Sequence, residues 1–301
     1  MTERDYNLHL KGLLAERSLL IRLAALITVV LAGTCLSIPL VLCISQLAGG
    51  DAELPAWAIQ ATQFVSALCM FLFPALGAAW LCSRRPAQLL RLGGWPGLRT
   101  LALIAVATLT LCPLISLAGH FNQQMQLPSA LAPLEEMMRR MEDQAADLLD
   151  AMFLRKDLPT FLINLTVIAI VAAIAEESLF RGALTGILEK HVRNPHVLVW
   201  IVAFVFSFIH FQFYGFLPRL FLGAYLGYLL LRTGNLWAPV FAHFFNNALA
   251  VVGMSFSSLQ DQILFADELK PDEVQWMAIA LIPSLMLFYF CMKEVKQLTI
   301  R

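Results

Sequence analysis

Two adjacent carboxylates, Glu176 and Glu177, interrupt an otherwise apolar stretch, and Arg181 follows four residues after the second. On a helix, Glu177 and Arg181 share a face and can pair, while Glu176 points about 100° away. Adjacent like charges in a low-dielectric site push their proton affinities apart. The arrangement suits one structural carboxylate and one general base. His210 stands in a second apolar stretch rich in phenylalanine, four residues after Phe206. In a third stretch, His243 and Asn247 lie one helical turn apart on one face, which Asn246 does not share. An imidazole and a carboxamide aimed at one point suit an oxyanion site. The chain has no HExxH pair of a conventional zinc peptidase, and Ser178 and Ser207 carry no nucleophile motif. What remains is activation of water by a carboxylate with a histidine, directly or on a metal. Glu176, His210 and His243 are residue types that could ligate zinc. The carboxamide fits an oxyanion role better than a ligand role, so the expectation is a site without a cofactor, with zinc as the alternative.

Such side chains need membrane helices to hold them. The chain is 59% hydrophobic and 14% charged, against about 45–50% and about 25% in soluble domains. The excess falls in eight apolar blocks, at about 19–47, 56–82, 100–119, 160–182, 197–214, 217–231, 236–255 and 274–292. Their length and their lack of period-2 alternation predict helices rather than barrel strands. The reading is an all-α membrane protein, with about eight transmembrane helices in one bundle. The first block is too long for a cleavable signal and reads as a retained span. A charged residue at the centre of a span costs about 2.5–3.5 kcal/mol on the insertion scale. The glutamates and Arg181 therefore need a reason to be where they are. The six cysteines lie in or beside the apolar blocks without a CxxC pair and read as small packing residues.

The loops set the orientation. Basic residues gather before the first block (Arg4, Lys11, Arg17, Arg22), between the second and third (Arg84, Arg85, Arg91, Arg99), at Lys190, Arg193 and Arg232, and after the last block. Asp51, Glu53 and the acidic run from Asp261 to Glu273 fall in the opposite loops. This places both termini in the cytoplasm. Arg219 and the polar segment 120–159 do not fit the pattern. Within that segment an amphipathic helix is predicted at about 131–155, with Leu134, Met138, Met141, Ala145, Leu148 and Met152 on its apolar side. It reads as a connecting helix or as a lid over a site. The chain then divides into N-terminal spans (1–120), the amphipathic connection (121–159), a catalytic core (160–255), and an acidic loop with a final span (256–301). The zero net charge does not point to a nucleic-acid partner. Glu176 and His210 are each 17 residues from Arg193, which places them at similar depth. His243 is eight residues beyond Asn235 and would lie nearer the cytoplasmic face, unless the turn at Gly234 is sunk into the membrane.

Glu176-Glu177-x-x-x-Arg181, Phe206-x-x-x-His210 and His243-x-x-x-Asn247, in that order, resemble the motifs of the CAAX protease and bacteriocin-processing family. The resemblance covers roughly 160–255. It implies an eight-helix intramembrane peptidase in which Glu176 and His210 activate water, His243 and Asn247 stabilise the oxyanion, and Glu177 and Arg181 support them. It also implies a peptide or membrane-protein substrate and, from the family's distribution, a bacterial inner membrane. The reading from a different class is a non-catalytic membrane protein, an immunity scaffold or transporter, that uses the same polar cluster for binding.

Overall fold

The computed structural model describes residues 10–50, 54–256 and 269–300. Among these there is no strand, and the apolar blocks are helices. In chain order they are α1 (Leu19–Leu47), α2 (Ala56–Cys82), α3 (Leu98–Gln123), α4 (Ala132–Met152), α5 (Leu158–Leu188), α6 (Pro195–Phe208), α7 (Phe216–Thr233), α8 (Trp237–Ser255) and α9 (Pro271–Ile300). α4 is the expected amphipathic helix.

The expectation of about eight spans needs correction. Six helices are long and apolar enough to cross a bilayer: α1, α2, α3, α5, α7 with the turn before it, and α9. α6 has 14 residues, about 21 Å at 1.5 Å per residue, against a hydrocarbon core about 30 Å thick. α8 has 19 residues, but His243, Asn246 and Asn247 dilute its apolar character. Both helices that fall short carry or adjoin candidate site residues.

Two apolar clusters hold the bundle together. One joins α1, α2, α5 and α6 around Ala78, Phe180, Ile187 and Phe206. The other joins α3, α7, α8 and α9 around Ile104, Leu226, Leu229 and Met292. Between membrane helices, close packing rather than exclusion of water supplies the attraction, so small residues are placed where backbones meet. A Cβ on Gly223 of α7 would sit 3.2 Å from Ala203 Cα on α6, and one on Gly227 would sit 2.9 Å from Val199 Cγ1. The outer faces of α1 and α9 expose Leu20, Ile282 and Met286, as lipid-facing helices do.

The basic loops meet at one end of the bundle. Arg84 pairs with Glu16, Arg91 with Glu189 and Arg99 with Glu294. Leu236 N–H donates to Arg91 O at 3.0 Å, and Arg232 donates to Met292 O at 2.8 Å. Arg22 is not a loop charge, since it lies inside α1 and is buried. The two misfits of the charge pattern meet at the other end, where Arg219 Nη2 is 4.0 Å from Glu142 Oε1 on α4.

Candidate active site

The site lies at the seam between the two apolar clusters, where α5 faces α8. Glu177 Oε1 accepts from Arg181 Nη1 at 2.7 Å and from His243 Nδ1 at 2.9 Å. Glu177 and Arg181 are fully buried, and Arg181 Nη2 also donates to Gly223 O at 2.8 Å. The i,i+4 pairing expected from spacing is present, and it extends to a third helix and a third charge-bearing side chain. Burying a charge is costly unless it is paired and hydrogen-bonded, and here each ion lies within reach of its counter-ion.

Glu176 turns away from this pair, as a rotation of one residue requires. It remains partly exposed and lines a cavity of about 460 Å³ together with Gln63, Met70, Ile168, Gln212 and Asn247. Its Oε2 is 3.9 Å from His243 Nε2, too far for a hydrogen bond. His243 therefore has Nδ1 committed to Glu177 and Nε2 turned toward Glu176. α4 forms one wall of the cavity through Ala145, Leu148, Leu149 and Met152.

Asn247 reaches the cavity from α8, and its Nδ2 donates to Ile168 O at 2.9 Å. That carbonyl lies in a π-helical stretch of α5, Leu165–Val171, and a second such stretch, Ser178–Leu184, follows the glutamates. π-helical turns recur at functional sites because they shift the backbone bonding and free carbonyls for side-chain partners. Nothing in the sequence pattern marks them.

His210 follows the end of α6. Its Nδ1 donates to Phe206 O at 2.7 Å, and Nε2 has no hydrogen-bond partner among the described residues. It makes no hydrogen bond to the other five expected residues, and Phe206 connects it to them. The Phe206 ring lies edge-on to both histidines, with centroids 5.1 and 6.0 Å away, and Arg181 Cζ is 4.5 Å from its centroid. Because α6 stops short, the irregular loop after it is at membrane depth. Such backbone is tolerated where it is covered by protein or lines a cavity, and Gln212 of this loop lines the cavity.

The depth mismatch of His243 is resolved by a recessed turn. Segment 86–90 packs into α5, where a Cβ on Gly182 would be 2.8 Å from Leu90 Cδ2 and one on Gly186 2.8 Å from Leu89 O. The turn before α8 hangs from this segment through Leu236 N–H to Arg91 O and through Asn235 Nδ2 to Gly94 O at 2.6 Å. With the start of α8 hung from the chain that follows this segment, His243 meets Glu177 directly.

Among the described residues, no three His, Cys, Asp or Glu side chains converge as a metal-binding set. Each histidine has Nδ1 held by a carbonyl or carboxylate oxygen, an outer-shell arrangement that a zinc-ligating imidazole also uses. Sequence reasoning missed Gln212 and Arg219, and no spacing rule would have found them.

No curated protein and no solved structure matches the chain. Residues 158–249 match the family model described as type II CAAX prenyl endopeptidase Rce1-like. This segment, which carries Glu176, Glu177, Arg181, His210, His243 and Asn247, is thus similar to the Rce1-like prenyl endopeptidases.

Proposed function

We propose that the protein is an intramembrane endopeptidase that cleaves a peptide bond with water activated by Glu176. The observation that carries this reading is the division of the two neighbouring carboxylates. Glu177 is locked to Arg181 and His243, while Glu176 faces a cavity large enough for a peptide segment. Glu176 takes a proton from water as the water oxygen attacks the carbonyl carbon. His243 Nε2–H and the remaining Nδ2–H of Asn247 donate to the oxyanion. Because Nδ1–H is held by Glu177, donation through Nε2 requires the imidazolium form. In that form Glu176, Glu177, Arg181 and His243 sum to zero net charge. His210, through its Nε2, assists transfer of the proton to the leaving amine as the C–N bond breaks. The family description points to a prenylated, C-terminal CAAX peptide as one substrate class. The proposed location is a bacterial inner membrane, with both termini cytoplasmic.

Peptide termini should be compared in membranes that contain wild-type or Glu176→Gln protein. Termini present only with wild type are expected, and they should persist in the presence of a zinc chelator. Identical termini with both proteins would refute the peptidase reading, and loss under chelation would refute the metal-free mechanism.

A further inference from the structure

We propose that Gln212 is a second carboxamide donor of the active site, held by Arg219 so that its Nε2 hydrogens meet a substrate peptide carbonyl. The inference rests on the peptidase reading and adds a residue to it.

Gln212 lines the same cavity as Glu176 and Asn247. Arg219 Nη1 donates to Gln212 Oε1 at 2.9 Å, Arg219 Nη2 to Gln212 O at 2.9 Å, and Arg219 Nε to Gly215 O at 3.1 Å. A guanidinium has donors only, so the amide oxygen must face it and the NH₂ group must face away. Gln212 Nε2 has no protein partner among the described residues. A charge-assisted bond to the oxygen also polarises the amide and strengthens its N–H donors. By contrast, Asn247 already donates one N–H to Ile168 O.

The loop is shaped around this contact. Phe211, between His210 and Gln212, has φ of 55°, a left-handed conformation that is an outlier for a bulky residue. Such strain persists where the surroundings over-determine it, often at functional sites. A side chain on Gly215 would overlap Arg219 Nη2. Glu142 of α4 lies 4.0 Å from the same nitrogen.

Two substitutions separate a donor from a loop staple. Gln212→Glu keeps the size and strengthens the bond to Arg219 but replaces the NH₂ with oxygen. Gln212→Met removes the donor without adding charge. Wild type, Glu176→Gln, Gln212→Glu and Gln212→Met are compared in membranes by the initial rate at which wild-type-specific peptide termini form. Thermal melting of each purified protein controls for folding. A fall of about 10²-fold in both Gln212 variants, with Gln212→Glu melting no lower than wild type, is the expected result. Near-normal cleavage by Gln212→Glu assigns Gln212 to loop structure and overturns the proposal. Near-normal cleavage by Gln212→Met, with loss only in Gln212→Glu, shows that added charge is the cause and also overturns it. No difference between wild type and Glu176→Gln removes the peptidase reading, and this role with it.

Discussion

Glu177 accepts two donors on one oxygen inside a fully buried cluster, while its neighbour Glu176 has no hydrogen-bond partner among the described residues. Replacing Glu176 by Gln preserves shape and removes the basic oxygen. General-base catalysis supplies about 10²–10⁴-fold, so turnover should fall by that order while the melting temperature is retained. Unchanged cleavage at the same bond by purified Glu176→Gln would refute its role. Arg181 behaves differently. Arg181→Ala leaves Glu177 buried beside His243 without its cation, and breaking a buried pair from one side costs about 3–5 kcal/mol. Yield and melting temperature should therefore drop together with activity. A well-expressed Arg181→Ala protein of wild-type stability would show that the pair is dispensable.

At the scale of elements, α5 and the α6–α7 pair make separate demands. α5 begins at Asp157, whose carboxylate accepts from Thr160 N–H at 2.9 Å and from Arg155 Nε at 2.9 Å. The bonds from Thr160, and then the one from Arg155, lower its pKa to about 2. A folded-state pKa below the unfolded value stabilises above the unfolded pKa, near 4, and the contribution is lost as pH falls through about 2. The melting advantage of wild type over Asp157→Ala should be constant above pH about 5 and shrink below about 4. An advantage that does not change down to pH about 2.5 would exclude the ionised cap. The α6–α7 contact is set by volume. Gly223→Val would drive methyl groups into Ala203 and Phe206, and overpacking of this kind costs about 1–3 kcal/mol. Since Phe206 O holds His210, cleavage should fall along with melting temperature. A Gly223→Val protein that melts like wild type would mean that α6 and α7 can separate freely.

At the scale of the whole molecule, the contacts sort the loops into two sets. Glu16–Arg84, Arg91–Glu189, Leu236–Arg91 and Arg99–Glu294 tie one end together. At the other end, Asn122 accepts from Leu217 N–H at 2.7 Å, and Lys156 donates to Met254 O. The eight described helices other than α4 alternate in direction between these ends, and six of them are long and apolar enough to cross a bilayer. The basic end should therefore face the cytoplasm, and reporters fused after Arg301 and within the loop near Asp267 should report opposite sides. That loop lies outside the described residues. The same side for both reporters would rule out the alternation.

The sequence by itself determined the helical class, the amphipathic segment, and the residues grouped by spacing within one helix. Glu177 with Arg181, Glu176 turned away from them, and His243 with Asn247 all follow from the 3.6-residue period, which is a local property. Tertiary structure alone decided what depends on how far one helix is shifted along another. Counting residues from Arg193 and Asn235 misplaces His243, because Gly182 and Gly186 let segment 86–90 sink into α5 and carry the start of α8 with it. The pairing of Arg219 with Glu142 is likewise a product of packing between distant segments, and the orientation of Gln212 follows from the non-helical loop that folds it back on Arg219. Arg219 looks misplaced in a count of loop charges because its side-chain partners, Glu142 and Gln212, lie 77 and seven residues upstream, outside its own helix.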